Sequence, residues 1–171
     1  MEAEAIIALS SLIIAAVALG VGVWQTVTTR AYNRKSVRPV LQLQSSFRQG
    51  ERAGLRLTNV GLGPARIVAS QIWLDGKKLN REYGQQVADE LRDDLSTLGQ
   101  SRPSAVTFNS GAVLGSDYDQ YLLSIELFDK SKDEEFAHLI ETRLRIIFQY
   151  ESLYEVPDSV EWPAEHRSRA Q

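Results

Sequence analysis

The 171-residue chain contains no cysteine, which removes disulfide frameworks and thiolate–metal centres and leaves the redox compartment open. Its two histidines, His138 beside an acidic run and His166 in the tail, cannot assemble a Ser-His-Asp set or an HExxH zinc helix. A basic excess is missing too. With 22 acidic against 19 basic residues and a net charge of -3, there is no global positive field of the kind that drives nucleic-acid binding, so nucleic acid is not an expected partner. There is no internal repeat and no low-complexity tract.

What the sequence has is one long apolar run. Residues 6–24 read IIALSSLIIAAVALGVGVW, without a charge and with Ser10 and Ser11 as the only polar side chains. At 1.5 Å per residue this helix spans roughly 28 Å, close to the hydrocarbon thickness of a bilayer. A buried soluble helix would need more partner surface than a domain of about 140 residues offers. A cleaved signal peptide would need a basic n-region, where this chain has Glu2 and Glu4. Residues 1–29 are therefore expected to be an N-terminal tail and transmembrane helix of the signal-anchor kind. Arg30, Arg34, Lys35 and Arg38 follow in a basic juxtamembrane linker, residues 30–38. By the positive-inside rule these four set a single-pass topology in the plasma (inner) membrane, N-terminus outside and C-terminal domain cytoplasmic, and they meet anionic headgroups there. Trp24 and Tyr32 suit the interface as aromatic anchors. Ala16 with Gly20, and Ala18 with Gly22, form small-residue stripes through which two helices could pack, giving a homo-oligomer.

From residue 39 to 162 the period is that of strands. Leu41 and Leu43 alternate with Gln42 and Gln44, and Leu55 and Leu57 with Arg56 and Thr58. Asn59, Gly61, Gly63 and Pro64 punctuate a turn, NVGLGP, in which a glycine is expected at positive φ. Residues 65–74 are rich in β-branched side chains and end at Asp75-Gly76, a type I′ hairpin signal. Between Asn80, a candidate N-cap, and Gly99, the residues Val87, Leu91, Leu95 and Leu98 recur at helical spacing. Strands resume at 105–108 and at 121–128, where Tyr121, Leu123, Ile125 and Leu127 share a face. Residues 129–140 read as a charged loop with a short helix near 136–140. A strand over 142–150 then places Leu144, Ile146, Phe148 and Tyr150 opposite Arg143, Arg145 and Gln149, and one near 154–162 closes a hairpin with it. The fold class is mainly β: a transmembrane helix followed by an antiparallel β-sandwich-like domain with one or two short amphipathic helices, an open barrel being the alternative. Residues 163–171 are expected to be a disordered tail.

The segments RAYNRKSVRP (residues 30–39), TNVGLGPARI (58–67), the strand ending LDG at Gly76, and YESLYEV (150–156) resemble a family of uncharacterised bacterial single-pass membrane proteins. The resemblance covers most of the chain. It implies a tethered β-sandwich-like domain and no known activity; some similar tethered proteins act in stress or phage defence.

No catalytic, cofactor or metal site is expected. The glycines of GLGP lead into a strand, whereas a phosphate cradle needs a helix N-terminus after them. Asp89, Glu90, Asp93 and Asp94 fall opposite the leucine stripe, as on a solvated helix face. The pairs Asp117/Asp119 and Asp129/Asp133 are equally weak as ligand sets. The leading expectation is a non-enzymatic interaction or sensor module at the cytoplasmic membrane surface, with the bilayer and a membrane protein as partners. The alternative is a ligand-gated membrane effector whose transmembrane helices oligomerise.

Overall fold

The computed structural model describes residues 2–96 and 103–163. The chain divides into two units, residues 1–37 and 38–171. The first is a single helix, α1 (Glu2–Ser36). It runs through most of the stretch expected to be a linker, because residues 30–36 contain neither glycine nor proline; it stops where Pro39 begins to restrict the residues before it.

In the second unit the alternating segments become two antiparallel sheets. Strands β1 (Leu41–Ser46), β2 (Ala53–Asn59), β7 (Asp119–Ile125) and β5 (Ser104–Ala105) form one, in the order β1-β2-β7-β5. The other has the order β4-β3-β8-β9, from β4 (Lys77–Lys78), β3 (Ala65–Leu74), β8 (Leu144–Ser152) and β9 (Pro157–Trp162), with β6 (Val113–Leu114) on the start of β3. Leu41, Leu43, Leu55 and Leu57 from one sheet and Ile146, Phe148 and Tyr150 from the other are buried in the shared core, as their alternation predicts. Asp75 and Gly76 stand at φ 53° and 74°, the positive pair a type I′ turn requires.

Two bulges break the simple alternation. In β3, Ala65 and Ile67 are buried, then Ser70 and Ile72: the irregularity at Val68 shifts the inward phase by one. In β7, the register passes from Leu55↔Leu123 to Arg56↔Tyr121, so Leu122 is inserted and both leucines are buried. The strand ends at Ile125, and Leu127, expected on the same face, is exposed.

The amphipathic helix α2 (Gln85–Ser96) buries Val87, Ala88 and Leu91 but starts well after Asn80. The reason is Tyr83. Its amide donates to Ser70 Oγ at 2.6 Å, and its hydroxyl lies 2.9 Å from the carbonyl oxygens of both Val106 and Leu122, which holds this one side chain in the core while residues 80–82 stay exposed and the segment bends instead of coiling. Tyr83 also packs against Phe108 and Phe148, ring centroids 5.4 and 5.6 Å away. Leu98 and Gly99 lie outside the described residues, as do 164–171 of the expected tail, including His166. A short helix α3 (Glu134–His138) continues into a π turn (Leu139–Arg143), burying Phe136, Leu139 and Ile140. That turn occupies Thr142 and Arg143, so β8 begins at Leu144.

The NVGLGP turn differs from expectation in its mechanism. Neither Gly61 nor Gly63 is at positive φ. Gly61 is required by proximity: a Cβ there would lie 2.3 Å from Val40 N, 2.4 Å from Arg38 O and 2.6 Å from Pro39 C, all backbone. Gly61→Ala should therefore cost about 1–3 kcal/mol through overpacking. Gly84→Ala, whose Cβ would meet nothing closer than 3.8 Å, should stay within about 0.5 kcal/mol of the parent. Denaturant titration of the two variants in detergent checks the contrast, and equal midpoints would refute the close-approach explanation.

Candidate functional site

Helix α1 has one candidate membrane span among the described residues, Ser11–Arg30, with mean hydropathy 1.8 and no buried residue. Two polar side chains in or beside it satisfy themselves: Ser11 Oγ donates to Ile7 O and Thr26 Oγ1 to Gly22 O, both at 2.8 Å. Such back-bonding makes a hydroxyl compatible with an apolar solvent. Ala16, Ala18, Gly20 and Gly22 are exposed, and a Cβ added at either glycine would meet nothing within 4 Å. Trp24 and Tyr32 are exposed near the C-terminal part of the helix. Arg30, Arg34 and Lys35 belong to α1 as well, and Arg30 is exposed.

Arg38 belongs to the sandwich. Its guanidinium donates to Asp158 Oδ2 at 2.7 Å, so this cation is committed to a carboxylate on β9. Burial raises the Asp158 carboxyl, but the hydrogen bonds from Arg38 and the Ser159 amide, with the Arg38 charge, hold it below the usual carboxylate range. Next in the chain, Leu41 N donates to Tyr150 Oη at 3.3 Å, and burial pushes the Tyr150 phenol up. The chain's entry is thus bound to both β8 and β9.

Asn59 completes this entry knot. It is buried, and its Oδ1 accepts from Val40 N at 3.2 Å and Gly61 N at 3.1 Å. Its Nδ2 donates to Gly63 O and Gly115 O, both at 2.8 Å. Four backbone groups from three loops converge on one amide, which matches its full complement of two donors and two lone pairs. Pro64 then leads into β3.

The polar clusters elsewhere are spent on structure. Asp119 pairs with Arg56 and accepts from Thr58 Oγ1, and Asp75 takes both arms of the Arg143 guanidinium at 2.7 and 2.8 Å. Asp129 accepts from the Ser131 hydroxyl, the Ser131 amide and Gln49 Nε2, which with the Lys132 charge holds its carboxyl at about 2. Asp133, which is buried, accepts from Asp129 N at 2.9 Å. Asp89, Glu90 and Asp93 are exposed on α2. Among the described residues no three His, Cys, Asp or Glu side chains are grouped to hold a metal ion. A shallow cleft of about 340 Å³ lies between Phe47, Phe128, His138 and Glu141. The hydroxyl in its lining, Thr142 Oγ1, donates to the His138 carbonyl oxygen at 2.6 Å.

Sequence reading singled out Asn59, Gly61, Gly63, Pro64 and Arg38, and the fold brings all five together at the domain's entry. It missed their partners Asp158 and Tyr150, which lie more than a hundred residues from Arg38 and Leu41. Only the expected hairpin between 142–150 and 154–162 hinted at them.

A long apolar helix joined to an antiparallel β-sandwich defines a mainly β protein with one helix long and apolar enough to cross a membrane. A family model described as a domain of unknown function (DUF8453) matches residues 5–159, and the chain belongs to that family. No curated protein matches the chain, and no solved structure does.

The carboxylates give a pH dependence with a definite sign. Asp75, Asp119, Asp129 and Asp158 are all depressed, so their contribution is present above an unfolded pKa near 3.9 and is lost as pH falls through the folded values. Thermal midpoints should fall between pH 5 and pH 2. Asp129→Asn should reduce the slope of that fall between about pH 4 and pH 2, where its carboxyl takes up a proton. An unchanged slope would show that Asp129 ionisation contributes nothing.

Proposed function

We propose that this protein is a single-pass membrane protein in which α1 anchors the sandwich as a non-enzymatic interaction or sensor module at the cytoplasmic face. The observation that carries this reading is a fully exposed apolar helix of spanning length, covalently joined to a domain with its own satisfied core. An uncharged stretch of nineteen residues, all but Ser10 and Ser11 apolar, left in water would be a very large exposed patch, and a bilayer is the medium that removes the cost. Confinement to two dimensions raises the domain's effective concentration toward another membrane protein, which supports a binding role over free diffusion. The basic residues at the helix end support a cytoplasmic domain. The small-residue stripes support self-association of the helix as the route by which a bound partner or ligand would be signalled.

The full-length protein should remain in the membrane pellet after alkaline carbonate and enter solution only with detergent. A C-terminal alkaline phosphatase fusion should be inactive and a green fluorescent fusion bright. Neutral replacement of Arg30, Arg34 and Lys35 should weaken that preference. Arg38 is left intact in this test because of its pairing with Asp158. Recovery in the carbonate supernatant, or an active phosphatase fusion, would overturn the anchor or its orientation respectively.

A further inference from the structure

Nine large apolar side chains of the sandwich are exposed among the described residues, and they are not scattered. Val60 and Leu62 lie in the turn after β2, and Val40 directly precedes β1. Leu153, Tyr154 and Val156 form the tip between β8 and β9, with Val113 on the edge strand β6. Register places all seven at one end, because Leu41 pairs with Asn59, Ala65 with both Ser152 and Leu114, and Glu151 with Pro157. Val68 at the β3 bulge and Leu127 past the far end of β7 are the remaining two. Single exposed apolar residues are ordinary, whereas a group of seven at one pole is not.

Both tips are built to hold these side chains outward. Asn59, Gly61 and Gly63 point inward, which turns the alternating Val60 and Leu62 out; Leu62 is 77% exposed. In the hairpin, Ser152 Oγ accepts from Tyr154 N and Val156 N, and Ser152 N donates to Val156 O, with Glu155 at φ 58° turning the tip. Leu153 is left 67% exposed. Of the carboxylates at this pole, Asp158 is paired with Arg38 and Glu151 with Arg66, and Glu155 at the turn of the tip is exposed.

This is also the end at which the chain enters. The candidate span ends at Arg30 and α1 at Ser36, six residues or about 9 Å of helix later. An interfacial layer is about 5–7 Å deep on each side of the hydrocarbon. Four residues, 37–40, separate that helix end from β1, so the entry pole is the part of the sandwich nearest along the chain to the candidate span. We infer that the entry pole of the sandwich is itself a membrane-docking surface, with Leu62 and the Leu153–Tyr154 tip inserted into the interface of the bilayer that carries α1. This rests on the anchor reading and adds an orientation to it: the opposite pole, with the Phe47–Phe128 cleft, faces away from the lipid and toward a partner.

The absence of cysteine makes the test direct. Single variants Leu62→Cys, Leu153→Cys, Leu127→Cys and Val17→Cys of the full chain are labelled with an environment-sensitive fluorophore. Each is reconstituted in phosphatidylcholine vesicles with and without a spin-labelled lipid quencher. Labels at 17, 62 and 153 should lose at least half their emission to the quencher, and 127 should not; 0.5 M salt should leave the pattern unchanged, because the contact is apolar. Quenching at 17 with 62 and 153 behaving like 127 overturns the docking surface and leaves the anchor standing. No quenching at 17 overturns the anchor itself. Labels at 62 and 153 that become buried only at high protein-to-lipid ratio, without quenching, would assign this pole to a second copy of the chain and overturn the lipid assignment.

Discussion

The side-chain amide of Asn59 is the point on which the sandwich turns. It takes two amides, Val40 and Gly61, and gives to two carbonyls, Gly63 and Gly115. These belong to the entry segment, the crossover between the two sheets and the loop leading to β7. A buried polar group left unpaired costs about 1–3 kcal/mol, so a residue unable to serve all four would lose more than any one hydrogen bond contributes. Leucine would strand all four partners. Aspartate would keep the acceptors and lose both donors. Gly61 extends the same constraint, since only a residue without a side chain lets the turn lie on the backbone of residues 38–40.

Locally determined features were legible in the sequence. The alternation of Leu41/Leu43, Leu55/Leu57 and Leu144/Ile146/Phe148/Tyr150 reports burial faces because side chains in a strand point alternately to opposite sides. Asp75-Gly76 reports its turn because both positions need positive φ. Features that depend on distant partners were not legible. Tyr83 lies in a polar stretch, NREYG, that reads as a helix start, and its burial is decided by carbonyls at residues 106 and 122. The bulges at Val68 and Leu122 are fixed by the register of the neighbouring strand, which the sequence of either strand alone does not give. Gly61 was picked out correctly and explained wrongly, because positive φ is a local property whereas the contact with residues 38–40 is not.

The outer faces show how half-buried aromatics are accommodated without forming further apolar patches. Trp73 has Arg145 and Lys78 over its ring at 5.0 and 5.5 Å, and Tyr121 has Arg52 and Arg56 at 5.0 and 6.0 Å. In each pair the charged group itself lies over the ring face. The entry pole lacks this treatment: Leu62 and Leu153 stand out bare. A surface that masks its aromatics on both sheets and leaves one pole apolar is therefore differentiated, and the tethered pole is the one left unmasked.

The entry knot also decides how force reaches the domain. Residues 38–41 are fastened to β2 through Asn59, to β8 through Tyr150 and to β9 through Asp158. Two of these strands belong to one sheet and one to the other, so a displacement arriving along the chain at residue 38 acts on both sheets together. Within the sandwich each residue of this segment is held: Pro39 has its φ fixed, Arg38 is paired with Asp158, and Val40 N donates to Asn59 Oδ1. Residues 38–41 are in this way held by both sheets and not by one alone.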